Sequence, residues 1–320
     1  MKRVLTLILL ILSSAVVRAQ MMPDSTVQTV AYWFIGDKYS YQLEESKVNV
    51  MNDTDTVLVE KSAQILTFEV IDSTAAGYRI RVTSLDDQHS DYGRMELNRK
   101  LEKLMGDIPV EFETDPNGTF LQISPVTFTQ KEKDKILDVA LDHYKKEKNL
   151  SNKELKELRG LVSALLTPEY LTNETLNLIS PLLFFHGTRL EIDKHYPFDT
   201  EIQPLSAVSD KMLEMKGEFW ADGEWTDEKS VILHCIQSID EEQLKPFIAS
   251  VISTFSKDTG WIDEATNGLQ MRLCDLITEE VHLPTGWPIY YAYDRHIIVT
   301  DGEKTQEQII SRSFLILDTD

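Results

Sequence analysis

The sequence predicts an α+β fold in which curved antiparallel sheets pack against a helical middle segment. Apolar and polar residues alternate with a period of two in both outer parts of the chain, as is typical of antiparallel strands with one buried face. Apolar stripes at helical spacing dominate residues 128–185. Because strands and helices are segregated along the chain, α+β is favoured over a doubly wound α/β fold.

The first nineteen residues have the pattern of a secretory signal peptide. Lys2 and Arg3 precede an apolar run over residues 4–12, and small residues occupy both cleavage-determining positions in Val17-Arg18-Ala19. The alternative is an uncleaved anchor helix, but the apolar run is shorter than the ~20 residues that a span requires. We therefore expect cleavage near Ala19, a periplasmic or secreted location, and no transmembrane segment in the mature chain.

The segment after the signal peptide reads as a sheet. Tyr39, Tyr41 and Leu43 alternate with polar residues, as do the apolar residues over 78–82, and residues 65–71 form a further β-rich run. Residues 94–105 have the spacing of a short helix. Asn117-Gly118 lies between two alternating runs, which predicts a hairpin closed by a type I′ turn with positive φ at both residues.

Residues 128–185 read as helices. Ser151 and Glu154 form a capping box at the start of one apolar stripe, and Pro168 suits the first position of the next helix. A stretch without periodicity follows and suggests a boundary near residue 205. The predicted organisation is therefore a signal peptide over 1–19, a sheet with helices over 20–205, and a second sheet with one helix over 206–320.

The C-terminal part returns to strand patterns at 213–219, 231–239, 269–283, 289–300 and 306–317, with a helix predicted over 240–255. Each part thus combines strands with helical segments. This order also fits two similar halves, although no residue-level repeat supports a duplication.

Composition and motifs exclude several functional classes. The net charge is −21, and removal of residues 1–19 would take away three basic residues and no acidic one, so nucleic-acid binding is disfavoured. The sequence has no phosphate-binding glycine loop and no G-x-S-x-G motif. No Cys/His spacing is typical of a metal site, so neither a metal nor a cofactor is predicted.

The two cysteines leave two interpretations open. Cys235 and Cys274 both belong to the exported part of the chain, where an oxidising compartment permits a disulfide. Each also lies in an apolar, strand-like segment, where a buried free cysteine is equally natural.

Aromatic residues are the candidate ligand contacts. Four of the five tryptophans lie beyond residue 219, and together with one tyrosine they form the predicted ligand-binding set: Trp220, Trp225, Trp261, Trp287 and Tyr290. The alternative is that they fill the core. In the run from Ile289, alternation directs Tyr291 and Tyr293 inward and Tyr290 outward.

Several segments carry a family resemblance. The strand Gly36-Asp-Lys-Tyr-Ser-Tyr, the run Phe112-Glu-Thr-Asp-Pro-Asn-Gly-Thr-Phe and the segment Leu283-Pro-Thr-Gly-Trp-Pro follow a signal that ends in Arg-Ala-Gln. Taken together, the chain resembles uncharacterised secreted proteins of Bacteroidetes-type bacteria. This resemblance implies an exported, β-rich protein and supplies no catalytic residues.

The leading functional hypothesis is an exported, non-catalytic protein of the cell envelope that binds a hydrophobic ligand or another envelope protein. The absence of catalytic signatures and the one-faced strands motivate it. One alternative is a secreted hydrolase whose site is assembled from distant residues, which predicts a concave pocket with shifted pKa values. Another is a structural partner, which predicts a large exposed apolar patch.

Overall fold

A computed structural model of the protein provides the architecture. It describes residues 25–51, 55–85, 110–125, 129–148, 151–165, 167–202, 212–223, 229–240, 242–247, 269–302 and 304–317.

Thirteen strands are formed by the described residues, and antiparallel pairing dominates. The strands are β1 (Thr26–Gln28), β2 (Lys38–Met51), β3 (Asp55–Thr74), β4 (Gly77–Leu85), β5 (Val110–Thr114), β6 (Phe120–Ile123), β7 (Arg189–Glu191), β8 (Tyr196–Ile202), β9 (Leu213–Ala221), β10 (Ser230–Ile239), β11 (Leu269–His282), β12 (Trp287–Asp301) and β13 (Lys304–Ile316). Eleven of them form one sheet in the order β6-β5-β4-β3-β2-β13-β12-β11-β10-β9-β8. Strands β1 and β7 pair separately.

Alternation along the strands creates one inner and one outer face. Tyr41 and Leu43 of β2 are buried, and they lie opposite Leu66 and Gln64 of β3 in the register. The same phase carries Ile80, Phe112 and Phe314 into a continuous core. This confirms the predicted antiparallel sheet with one apolar face. The face that carries these buried residues is called the inner face below.

Three helices and a 3-10 turn follow the first group of strands. They are α1 (Gln130–Lys148), α2 (Asn152–Leu165), α3 (Pro168–Ile179) and the 3-10 turn Ser180–Leu183. The predicted capping box is present, because the Ser151 backbone N–H donates to Glu154 Oε2 at 2.8 Å. Helices α1 and α2 contact each other, and the 3-10 turn contacts β12. Packing of α1 and α2 over the sheet therefore stays a prediction.

The segment between β1 and β2 crosses one end of the sheet. The Ala31 N–H donates to Asn117 O at 2.9 Å, the Tyr32 N–H donates to Thr285 O at 3.0 Å, and the Gly36 N–H donates to Val70 O at 2.9 Å. These bonds tie three separate hairpins together. The backbone of this segment passes so close to Gly286 that a side chain there would not fit, since a Cβ on Gly286 would lie 2.1 Å from Val30 O.

The hairpin at Asn117-Gly118 is confirmed, but its turn type was predicted wrongly. Gly118 has φ +90°, whereas Asn117 is not among the residues with positive φ. The Gly118 N–H donates to Asp115 O, and Asp115 Oδ1 accepts from the N–H groups of Asn117 and Thr119. The Asp115 carboxylate thus stabilises a wider turn, accompanied by a bulge between Glu113 and Thr114.

Two other predictions fall partly or wholly outside the described residues. These are the helix over 94–105 and most of the helix over 240–255, of which residues 242–247 are helical. The boundary predicted near residue 205 is likewise outside them. Strands β8 and β9, which flank it, pair with each other, and β2 pairs with β13, so one sheet spans the predicted boundary. Among the helices described, none is long and apolar enough to cross a membrane.

Candidate binding cavity

A cavity of about 890 Å³ lies between the inner face of the sheet and residues 177–184. Its apolar lining includes Phe120, Leu183, Phe184, Ile277, Tyr291 and Ile310. Phe184 is 48% exposed and Ile310 is 36% exposed, so the cavity leaves large apolar side chains unpacked. A volume in this range is typical of small-molecule sites.

The floor of the cavity carries a buried ion pair between neighbouring strands. Arg295 of β12 lies opposite Asp275 of β11. Its Nε and Nη2 each donate to a different Asp275 oxygen at 2.8 Å. Asp275 is fully buried and also accepts from Gln237 Nε2 at 3.2 Å. This bidentate pairing compensates the cost of burying the carboxylate.

A second ion pair lies on the two strands at the centre of the sheet. Arg312 of β13 donates through Nε and Nη2 to Glu45 Oε1, at 2.9 and 2.8 Å. Its Nη1 donates to Asn177 O at 3.0 Å, which connects the sheet to the C-terminal end of α3. The arginine thereby bridges the floor and the opposite wall of the cavity.

Burial changes the acidity of the groups along the cavity. It raises the pKa values of Tyr291 and Tyr293 well above the ordinary range of a phenol. The hydrogen bond from Arg295 to Asp275 raises the pKa of the guanidinium. These shifts keep the two phenols neutral and the arginine charged, which suits binding more than nucleophilic attack or proton abstraction. No histidine or cysteine belongs to the described lining.

Glu279 is a buried carboxyl next to this site. It lies opposite Tyr291 on the inner face, and neither carboxyl oxygen has a hydrogen-bond partner among the described residues. Complete burial raises its pKa well above 4.5. The side chain therefore favours its neutral form, since an unpaired buried charge is costly.

An aromatic plug, defined here as Trp33, Trp287 and His186, fills the end of the sheet where residues 29–36 cross. The rings of Trp33 and Trp287 stack with centroids 4.5 Å apart, and His186 lies 5.6 Å from Trp33. His186 Nε2 bonds to Gly286 O at 2.6 Å. Burial lowers the pKa of His186 to about 4, so the ring is neutral at pH 7.

Of the aromatic residues predicted to bind ligand, the three that the structure describes are separated from one another. Trp287 is buried in the aromatic plug. Trp220 lies on the outer face between His195 and His234, whose rings stack at 4.6 and 5.0 Å and cover both sides of the indole. Tyr290 also lies on the outer face, whereas Tyr291 and Tyr293 point inward as predicted. None of Trp220, Trp287 and Tyr290 lines the cavity.

Trp225 and Trp261 lie outside the described residues, so ligand binding by these two stays a prediction.

Both cysteines are free. Cys235 lies opposite Ile277, whereas Cys274 lies opposite Ser238, three positions further along β10. An odd offset directs the two side chains to opposite faces of the sheet, so this register does not permit a disulfide. Burial also raises the pKa of the Cys235 thiol to about 12.

The charged residues of the cavity floor were missed by sequence reasoning. Asp275 shares the strand phase of Ile277, and Arg295 shares the phase of Tyr291 and Tyr293. A charged residue at an inward-facing position of a strand could therefore have been recognised from the sequence as a candidate site residue. The pairing of these two residues was not readable, because it depends on the register between β11 and β12.

No protein-family model and no curated protein matches the chain. Among solved structures, it is similar to lipovitellin, from a structure concerned with lipid–protein interactions, with a TM-score of 0.42 and 8% identity over 89% of this chain and 25% of that chain. It is also similar to Ail, the attachment invasion locus protein of Yersinia pestis, with a TM-score of 0.15 and 3% identity over 89% of this chain and 100% of that chain. Likeness at these TM-scores does not establish a shared fold.

Proposed function

We propose that this protein binds a small molecule with a large apolar part in the cavity, as an exported, non-catalytic carrier. The observation that carries the proposal is the unfilled space of about 890 Å³ over an inner sheet face whose other regions are densely packed. An apolar ligand would cover Phe184 and Ile310, which are otherwise exposed to solvent within the cavity.

The chemistry of the described lining supports binding over hydrolysis. Its two carboxylates, Glu45 and Asp275, are each engaged by an arginine. Its two tyrosines have raised pKa values and stay neutral. A hydrolase needs a free base or an activated nucleophile, and these paired groups supply neither.

Export is the second part of the proposal and rests on residues 1–19. A periplasmic or secreted location also agrees with the resemblance to secreted proteins of Bacteroidetes-type bacteria. Expression of the full chain in an exporting host should yield a mature protein that begins at Gln20. Amino-terminal sequencing that finds Met1 on the exported protein would contradict this cleavage.

Ligand binding can be measured with the neutral fluorescent probe N-phenyl-1-naphthylamine. The double variant Phe184→Ser/Ile310→Ser removes two exposed apolar groups from the cavity and should weaken probe binding by about tenfold. The matched control, Leu121→Ser/Leu315→Ser, removes two exposed leucines that do not line the cavity. Equal probe affinity for the two double variants, or no probe binding by the wild type, would refute the carrier function.

An envelope-protein partner is a second candidate function. Its support is an exposed apolar group at the far end of the β2–β3 hairpin, formed by Met51, Val57, Leu58 and Val59. Exposed apolar patches of this kind mark interaction sites. A protein that acts only through this patch would not bind the probe, so the same titration separates the two candidates.

A further inference from the structure

Three basic residues belong to the described cavity lining: Arg295 and Arg312, and Lys47, which lies opposite Ile310 on β2. In the register, Arg295 lies opposite Ile310, and Arg312 is two residues along β13 from Ile310. Arg295 and Arg312 are therefore diagonal neighbours on one face, about 7–8 Å apart at the backbone. Their carboxylate partners, Asp275 and Glu45, lie on the far side of each arginine. The two arginines are thus neighbours on the inner face, beside Ile310, and each is held by a carboxylate on the strand away from the other arginine.

Both guanidinium groups have N–H donors that the described hydrogen bonds do not use. An arginine has five N–H donors. Arg295 uses two of them on Asp275, and Arg312 uses three on Glu45 and Asn177 O. This leaves three donors on Arg295 and two on Arg312 among the contacts that the structure describes. Unused donors on adjacent arginines match the several acceptor oxygens of a carboxylate or phosphate group.

The apolar surroundings of this centre indicate where the rest of such a ligand would lie. Ile310 is a neighbour of both arginines on the floor, and Phe184 belongs to the opposite wall. A chain with a charged head could therefore place its head at the arginines while its apolar part covers these two residues. The net charge of −21 repels anions from the protein as a whole, so an anion bound here would be held by local contacts.

We propose that the cavity selects an amphiphile with an anionic oxygen head group, a carboxylate or phosphate, held between Arg295 and Arg312. The proposal rests on the carrier function above and specifies its ligand class. It identifies the two arginines as specificity-determining residues, with Glu45 and Asp275 fixing the orientation of their guanidinium groups.

Isothermal titration calorimetry with three ligands of one chain length tests the proposal on the wild-type protein. Dodecanoate should bind about tenfold more tightly than dodecan-1-ol, since a charge-assisted hydrogen bond contributes at least this factor. Dodecyltrimethylammonium should bind no more tightly than the alcohol. Equal affinities for dodecanoate and dodecan-1-ol, or tightest binding of the ammonium, would overturn the anionic preference and leave the carrier function intact. Failure of all three to bind would refute the carrier function itself.

Two competitors separate a head group from a free ion. Acetate and inorganic phosphate carry the same anionic oxygens without a chain, so neither should displace dodecanoate at equal concentration. Displacement by either would show that the arginines form a plain anion site, which would overturn the amphiphile proposal. Dodecyl phosphate should compete with dodecanoate.

The variant Arg312→Gln tests the contact directly, and the chain offers a matched control. Arg81 makes the same pairing with Glu111 on the outer face, through Nε at 3.1 Å and Nη2 at 2.8 Å. Arg312→Gln should reduce the affinity for dodecanoate about tenfold and leave that for dodecan-1-ol unchanged, whereas Arg81→Gln should change neither. Loss of both ligands in Arg312→Gln with an unchanged circular dichroism spectrum would contradict a head-group role.

Discussion

Strand β12 passes through two regions of the inner face that differ in the residues they bury and in how closely those residues pack. At its start, Trp287 stacks on Trp33 with ring centroids 4.5 Å apart and excludes solvent. Further along, Arg295 of the same strand pairs with the buried Asp275 beside a cavity of about 890 Å³. One region is filled with aromatic rings, and the other combines paired charges with empty space.

The difference separates what holds the fold from what is available for a ligand. Buried aromatic rings stabilise a fold by removing apolar area from water. A buried ion pair contributes little net stability compared with apolar residues of similar size, because both charges lose their hydration. The ion pair beside the cavity is therefore poorly explained by its contribution to stability. Binding of a ligand would explain why these charges lie there.

The largest effect should follow from emptying the aromatic plug. Trp287→Ala removes a fully buried ring and leaves Trp33 without its stacking partner, so the free energy of unfolding should fall by about 3–5 kcal/mol. Urea denaturation measures the loss. The control Leu315→Ala removes an exposed leucine and should change stability by less than about 0.5 kcal/mol. A loss below about 1 kcal/mol in Trp287→Ala would show that the plug does not hold this end of the sheet.

A smaller loss is expected when one partner is removed from the cavity floor. Arg295→Leu leaves the buried Asp275 carboxylate without a cationic partner and with the hydrogen bond from Gln237, which should lower the free energy of unfolding by about 2–3 kcal/mol. The value lies at the low end for buried pairs because Arg295 itself is 31% exposed. The double variant Asp275→Leu/Arg295→Leu should recover stability to within about 1 kcal/mol of the wild type. Equal losses in the single and double variants would show that the arginine acts by packing and not by charge.

The contrast between the two regions also explains what could be predicted from the sequence. Strands β2, β11 and β12 were recognisable because alternation of side chains is a local property. The capping box at Ser151 and the hairpin at Asn117-Gly118 were recognisable for the same reason. The type of that turn was not recognisable, since it depends on hydrogen bonds to the Asp115 carboxylate, which the Asn-Gly pair alone does not indicate.

The cavity depended on information that no single segment contains. Glu45 and Arg312 are brought together by pairing between strands from opposite ends of the chain. The tryptophans were predicted to contact a ligand because of their aromatic chemistry. Trp287 instead lies in the core, because the segment that carries Trp33 crosses the end of the sheet and covers it. Strand register and chain crossing are tertiary properties, so the composition of a strand does not predict them.

The smallest predicted effect concerns Glu279, which lies where the packed region meets the cavity. In the part of the chain that the structure describes, its buried carboxyl group has no hydrogen-bond partner, so Glu279→Leu should raise the free energy of unfolding at pH 7 by about 1–2 kcal/mol. Because burial raises the pKa of Glu279, the folded state retains a proton that the unfolded state releases above pH 4.5. Stability from this group is complete below that pH and is lost as the pH rises through the folded pKa.

Urea denaturation of the wild type and Glu279→Leu between pH 4 and 8 measures this dependence. The stability difference between them should widen as the pH rises, whereas Glu279→Gln should remove the pH dependence but keep the cost of an unpaired polar group. His186 acts with the opposite sign, because its pKa of about 4 makes stability fall as the pH drops below 6.5, and it is present in all three proteins. A stability difference between wild type and Glu279→Leu that does not vary with pH would mean that Glu279 is solvated or paired. Glu279 would then belong to the open region of the inner face, together with the cavity, and not to the packed region.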